Sequence, residues 1–347
     1  MHFETPDRVP YWEVIGYWNE TLWRWQDEGM PADVHVNAYF GMDRRQGVPV
    51  NNGLVPLFRE EIISEDADTV TTRDATGVVA QRLKSGQCIP HYIEFPLKGR
   101  SNWAEFKKRL NPDSPCRYPE YWDDYKRSVK DRDYPLGISP GSLFGWLRNW
   151  MGIEHIAVAF YDDPDFIHEA MEHITEFTCK LLERALVEIG DIEFAFFWED
   201  MAYKTGSLIS PRMFKEFMVP RYQRITSLLR KHGVSVIGVD CDGFIDELIP
   251  LWLEGGLNCV YPLEVAPGED IVALRKQYGE DLLMIGGLDK RVLAKDKVAV
   301  KTEVMAKVPF MIESGGWIPS MDHCVPPDVP LENYLYYLDL LHEIVEG

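Results

Sequence analysis

A chain of 347 residues, 46% hydrophobic and with a formal net charge of −20, has enough apolar material for one large core. The acidic balance excludes a nucleic-acid footprint, because phosphate contacts need clustered Lys and Arg and here those residues are scattered. No apolar run approaches the roughly 18 residues of a membrane span. The six cysteines, in a chain that opens without a signal-peptide pattern, do not read as a disulfide framework, so the cytoplasm is the expected compartment.

In chain order, "DRVPYWEVIG" predicts a first strand, followed by an aromatic crowd of Trp12, Tyr17, Trp18, Trp23, Trp25 and Phe40. That crowd suits either the core of an N-terminal helix or an apolar pocket, with Trp12, Trp18 and Phe40 as candidate substrate contacts. "EEIISEDADTVTTRDATGVVAQRL" alternates on both sides of a turn at residues 73–77, which predicts a β-hairpin, with "HYIEFPLK" as a third strand. Residues at about 40–100 are expected to be a small β-rich insertion over the mouth of a larger domain. "YPLGISPGS" predicts the next strand.

Asp163 as N-cap, Pro164 at the first helical position and Gly190 beyond the last predict a long helix. From there short apolar runs alternate with helical patterns: "IEFAFFWED" precedes a helix over residues 211–232, and "VSVIGVD" precedes "DELIPLWLEGG". The strand "LNCVYPLE" is followed by the helix "DIVALRKQYG", and "LLMIGGLD" by a helix from Lys297 to Ser314. "GWIPSMDH" then leads into a closing helix from Leu331 to Val345. This βα alternation without a Gly-rich dinucleotide fingerprint predicts an α/β fold, a (β/α)8 TIM barrel occupying residues 1–347 as a single domain.

In such a barrel the loops after the strands build the active site. Glu199 and Asp200, Asp240–Cys241–Asp242, Glu264, Asp289 with Lys290, and Asp322–His323–Cys324 follow five successive strands. Helix capping explains some of these carboxylates, but a whole rim of them calls for a cation or substrate donors. Cys241, Glu264, His323 and Cys324 have the chemistry of a zinc site; buried thiols without a ligand role are the competing account of the two cysteines. Cys88, Cys116, Cys179 and Cys259 are assigned to packing or surface. Glu199, Asp240 and His323 are the candidate acid–base groups.

Four blocks, "ETPDRVPYWE", "FFWEDMAYKTGSLISPRMFKEFMVPRYQRI", "LEGGLNCVYPLEVAPGEDIVALRKQYG" and "GGWIPSMDHCVPPDVPLENYLYYLDLL", resemble the uroporphyrinogen decarboxylase superfamily over most of the chain. That resemblance implies a (β/α)8 barrel. It lies closer to the corrinoid-dependent zinc methyltransferase branch than to true uroporphyrinogen decarboxylases, whose Met-Arg-Gln-Ala-Gly-Arg segment has no counterpart here. In the methyltransferase pattern Cys241 and Cys324 take the positions of two zinc-binding cysteines, and Val239 stands where that branch has a His. Glu264 matches a glutamate of the methionine synthase pattern, and Asp240 and His323 stand in reserve. The activity implied is zinc-assisted methyl transfer between a small, methoxylated aromatic substrate and a corrinoid supplied by a partner protein, with a homodimer as candidate assembly. The alternative is a metal-independent decarboxylase or lyase acting on a small carboxylic acid.

Overall fold

The computed structural model describes residues 1, 3, 8–85 and 90–346; Cys88 and part of the "ETPDRVPYWE" opening lie outside them. Seven strands, Gln46–Gly47, Leu136–Gly141, Phe194–Trp198, Val236–Asp240, Cys259–Tyr261, Leu283–Ile285 and Trp317–Ile318, pair in parallel and in chain order. Helices fill the crossovers, as right-handed βα units require. Alternate residues part to two sides. Val236, Cys259, Tyr261, Leu283, Ile285 and Ile318 meet one another with Phe194, Phe196, Trp12 and Val14 against them. Ala195, Phe197, Ile237, Val239, Val260, Met284 and Trp317 pack into the larger core shared with the helices. The first set lines the inside of a curled sheet, and the second faces its helical coat.

The expected first strand does not pair by a ladder. Residues 8–15 carry no strand, and the nearest pairing is an isolated parallel bridge between Tyr17 and Val325. Side chains take over the closure. On one flank Arg45 Nη2 donates to Val14 O at 3.0 Å and Asp43 N to Tyr11 O at 2.9 Å. On the other, Val14 N donates to Ser320 Oγ at 3.2 Å, and Glu13 Oε1 accepts from Ser320 Oγ at 2.6 Å and Met321 N at 3.1 Å. Pro10, which has no N–H to give a ladder, stands at the entry. Of the eight strands expected, seven pair in one curled parallel sheet, and the segment up to Tyr17 contributes an isolated bridge in place of the eighth.

The hairpin turns where the sequence predicts it, with Asp74 Oδ1 accepting from Thr76 N at 2.9 Å and Val78 N at 3.1 Å. It belongs to a four-stranded antiparallel sheet of Glu61–Glu65, Thr69–Arg73, Val79–Leu83 and His91–Glu94. Leu97 N donates to Trp150 O at 2.9 Å and tethers the sheet to helix Phe144–Met151. Strand Gln46–Gly47 lies within the 40–100 range yet pairs with Leu136 and Gly137 of the parallel sheet, so the excursion begins after it. The helix expected over residues 211–232 is two, Pro211–Phe217 and Val219–Lys231, because Pro220 removes an N–H from the continuing ladder. Helices Pro164–Ile189 and Lys297–Ser314 follow the predicted boundaries. Among the described residues no helix is long and apolar enough to cross a membrane.

Burial pushes the Glu13 carboxyl from 4.5 up to about 7, against the pull of its Ser320, Tyr334 and Met321 hydrogen bonds. A raised folded-state value means that the folded chain holds this proton longer than the unfolded one. Its contribution is therefore full below about pH 4.5 and is lost as pH rises to about 7. The guanidinium midpoint should fall between about pH 5 and about pH 8. Glu13→Gln should flatten that fall by up to ~3 kcal/mol, and an unchanged slope in the variant would remove Glu13 from the account.

Candidate functional site at the carboxyl ends of the strands

Strand Val236–Asp240 sets the geometry. Val236 faces inward and Val239 outward, so Asp240 ends the strand facing inward while Cys241 turns back to the coat. Asp240 lies beside Tyr261, Asp200, Asp242 and His323. Burial first, then the Asp242 and Asp200 charges, push its carboxyl up to about 8, with His323 and the Tyr261 hydroxyl opposing. Asp200, in the left-handed region at φ +43°, is itself raised by burial and by Asp242.

Beyond Asp240, the side chains of Asp242, Glu264 and His323 converge, each offering a ligand atom within 4.8 Å of the others. His323 Nε2 stands 3.4 Å from Asp242 Oδ2, and that carboxylate raises the imidazole above its usual range. Gly243 N donates to Glu264 Oε2 at 3.0 Å. Only glycine suits position 243, because φ is +92° and a Cβ would lie 2.8 Å from the Ala202 backbone. Lys290 Nζ stands 3.5 Å from Glu264 Oε1 and 3.6 Å from Asp322 Oδ1. Two carboxylates and an imidazole suit a borderline divalent ion, and the buried Asp242 Oδ1 has no hydrogen-bond partner. The donor set therefore fits a divalent metal, with Lys290 already offsetting part of the negative charge.

The thiols do not join this group. Cys241 Sγ is buried in the layer between sheet and helices, where it accepts from Met201 N at 3.3 Å and donates to Asp242 O at 3.4 Å. Burial holds its thiol well above the ordinary range, which disfavours a thiolate ligand. Cys324 is half-buried, and burial together with Glu13 pushes it up to about 11. Of the three expected metal ligands, Glu264 alone belongs to the converging set; Asp242 and His323 complete it. Counting inward positions along 236, 238 and 240 finds Asp242 from sequence, a signal that the thiol chemistry overrode.

The carboxylate rim divides into two roles. Glu199, expected as an acid–base group, is 0% exposed. Its Oε1 accepts from Leu143 N at 2.9 Å and Tyr222 Oη at 2.7 Å, and its Oε2 from Ser142 Oγ and Phe144 N at 2.8 Å and Gly145 N at 3.1 Å. It caps helix Phe144–Met151 and locks it to the strand ends. Asp289 caps helix Lys290–Leu293, and buried Asp322 accepts from Val265 N and Lys290 N. Asp200, Asp240, Asp242, Glu264 and His323 are left to face the mouth.

The three aromatic candidates part company. Phe40 is buried among Tyr17, Trp25 and Tyr334, and Trp18 is 41% exposed ahead of helix Asn19–Asp27. Only Trp12 packs on the inner cluster. Sequence reasoning missed Arg45 and Tyr261, which reach the interior from ordinary-looking stretches, and it placed Lys290 at a strand end without giving it a role.

Residues 130–344 match the family model described as Uroporphyrinogen decarboxylase (URO-D). A uroporphyrinogen decarboxylase from a Nitratiruptor species is 26% identical over 199 residues, 53% of this chain and 51% of that protein. One from Syntrophotalea carbinolica is 23% identical over 309 residues, covering 80% of this chain and 83% of that protein. The chain spans about half the length of the first of these relatives, and less of several others. Among solved structures, a methyltransferase from Methanosarcina mazei superposes with a TM-score of 0.61 over 98% of this chain and 95% of that chain, at 16% identity, a likeness of fold.

Glu199→Ala should cost about 3–5 kcal/mol in denaturant unfolding, because it strands buried donors at Leu143, Phe144, Gly145 and Tyr222 together. A variant that keeps full stability and loses only turnover would return Glu199 to the reacting groups.

Proposed function

The chain belongs to the uroporphyrinogen decarboxylase (URO-D) family, and from that premise we propose that it is a methyltransferase, moving a methyl group between a small substrate and a corrinoid carried by a partner protein. The observation that carries this reading is the convergence of Asp242, Glu264 and His323 from the ends of three strands. Asp242, Glu264 and His323 would hold a divalent ion, which would supply electrophilic assistance to a substrate heteroatom. Around it, Asp240 and Tyr261 face the interior as a paired acid and hydroxyl able to hold a proton for a leaving oxygen. Lys290 steadies Glu264 and Asp322 in their orientations. The shared fold with the Methanosarcina mazei methyltransferase agrees with this reading. Decarboxylation of a porphyrinogen with eight carboxylates is disfavoured by a mouth that gathers Asp200, Asp242 and Glu264 against Lys290 and His323.

A second reading, metal-independent decarboxylation of a small carboxylic acid, draws on the Lys290–Glu264 contact, which offsets the acidic cluster without an ion. Metal analysis and a methylation assay separate the two. Under the first reading the purified chain binds about one zinc or cobalt ion, and Asp242→Asn and His323→Ala each weaken binding by ~10-fold or more, whereas Cys241→Ala leaves it unchanged. Corrinoid methylation then falls with metal affinity. Carbon dioxide release that persists in chelator, with no methylation, would sink the first reading in favour of the second.

A further inference from the structure

The interior of a barrel of this kind is ordinarily filled by side chains; here the inward rings of one strand are left half-buried. Along strand Phe194–Trp198 the outward residues Ala195 and Phe197 are buried, whereas inward Phe194 and Phe196 are only half-buried. The cause lies on the neighbouring strands. Gly137 is the register partner of Phe194, and Gly238 of Phe196. A Cβ at Gly137 would lie 2.0 Å from the Phe194 ring, and one at Gly238 2.1 Å from the Phe196 ring. Each ring lies over a glycine of the adjacent strand, flat against the wall. Tyr261 meets Phe196 edge to face, with centroids 4.9 Å apart, and Trp12 faces Phe194 across 6.1 Å.

Beside this aromatic wall stand an indole N–H with no acceptor and a guanidinium with N–H groups to spare. Trp12 Nε1 is buried and has no hydrogen-bond partner. The guanidinium of Arg45 lies 5.2 Å from the centroid of the Trp12 ring. Among the described residues its one hydrogen bond is to Val14 O, and it forms no ion pair. Burial weakens its hold on its proton, while Tyr261 and Glu13 act in the other direction from beyond ion-pair distance. A buried indole N–H and a half-buried cation, each short of an acceptor, are costly unless an anion arrives.

We infer that the interior takes a small aromatic carboxylate, its anionic group held by Arg45 and the Trp12 indole N–H and its ring laid against Phe194, Phe196 and Tyr261. A planar two-oxygen anion matches one guanidinium plus one N–H, and an acidic rim disfavours ligands of higher negative charge. Tyr261, the third ring of that wall, also hydrogen-bonds Asp240, which links the wall to the acids at the strand ends. The inference rests on the proposed reading in taking the interior as the substrate chamber, and it adds the substrate class.

Titration of the full chain with benzoate and with its neutral isostere benzamide, followed by tryptophan fluorescence and calorimetry, tests it without any methyl transfer. Benzoate should bind at least ~10-fold more tightly than benzamide. Arg45→Gln should erase that preference, and Trp12→Phe, which keeps an aromatic ring and removes the N–H, should weaken benzoate several-fold and benzamide less. If Arg45→Gln fails to fold because the Val14 contact is lost, the wild-type preference and Trp12→Phe still decide. Equal binding of the two probes, no benzoate binding at millimolar concentration, or an undiminished preference in folded Arg45→Gln would each overturn the inference. A chain that selects benzoate through Arg45 yet transfers no methyl group would sink the methyltransferase reading and leave this one standing.

Discussion

The alternation of side chains across a curled parallel sheet is the constraint on which everything else here depends. Successive residues of a strand face opposite sides, so each chemical group at a strand end is committed either to the interior or to the helical coat. Asp240 and Cys241 are adjacent in sequence and serve opposite sides. One joins the acids at the mouth, and the other fills space beneath a helix. The same rule sends Trp12 inward while Tyr11 joins the coat, and it places Phe194 and Phe196 on one wall with Ala195 and Phe197 behind them.

Much of the architecture was legible because its signals are local. Asp163, Pro164 and Gly190 bound a helix by capping chemistry alone, and the short apolar runs from residue 192 onward, alternating with helical patterns, read as buried strands. The first strand was not legible as it stands, since it is held through its own Glu13, the Ser320 and Arg45 side chains and one backbone bond at Tyr11 rather than by a backbone ladder. The break at Met218 follows from Pro220, yet the apolar stripe runs through it unchanged and conceals it.

The site was harder to read for a different reason. Residue type suggested thiolates, and facing decided for carboxylates and an imidazole. Glu264 and His323 were recognisable as metal-binding chemistry at strand ends; Asp242 was passed over for the cysteine beside it. Glu199 stands in the same rim by sequence, but its lone pairs are directed at the start of a helix and a tyrosine hydroxyl. No residue-type argument separates a carboxylate that holds a helix from one that meets a ligand. Only the count of donors around it does so.

The seam along residues 11–14 has a consequence for how the molecule moves. A stave fastened by side-chain pegs can loosen without unzipping its neighbours, because no continuous run of backbone bonds has to break with it. Trp12 rides on that stave, so play in the seam would reach the aromatic wall directly, widening or narrowing the inner space while the other seven strands keep their spacing.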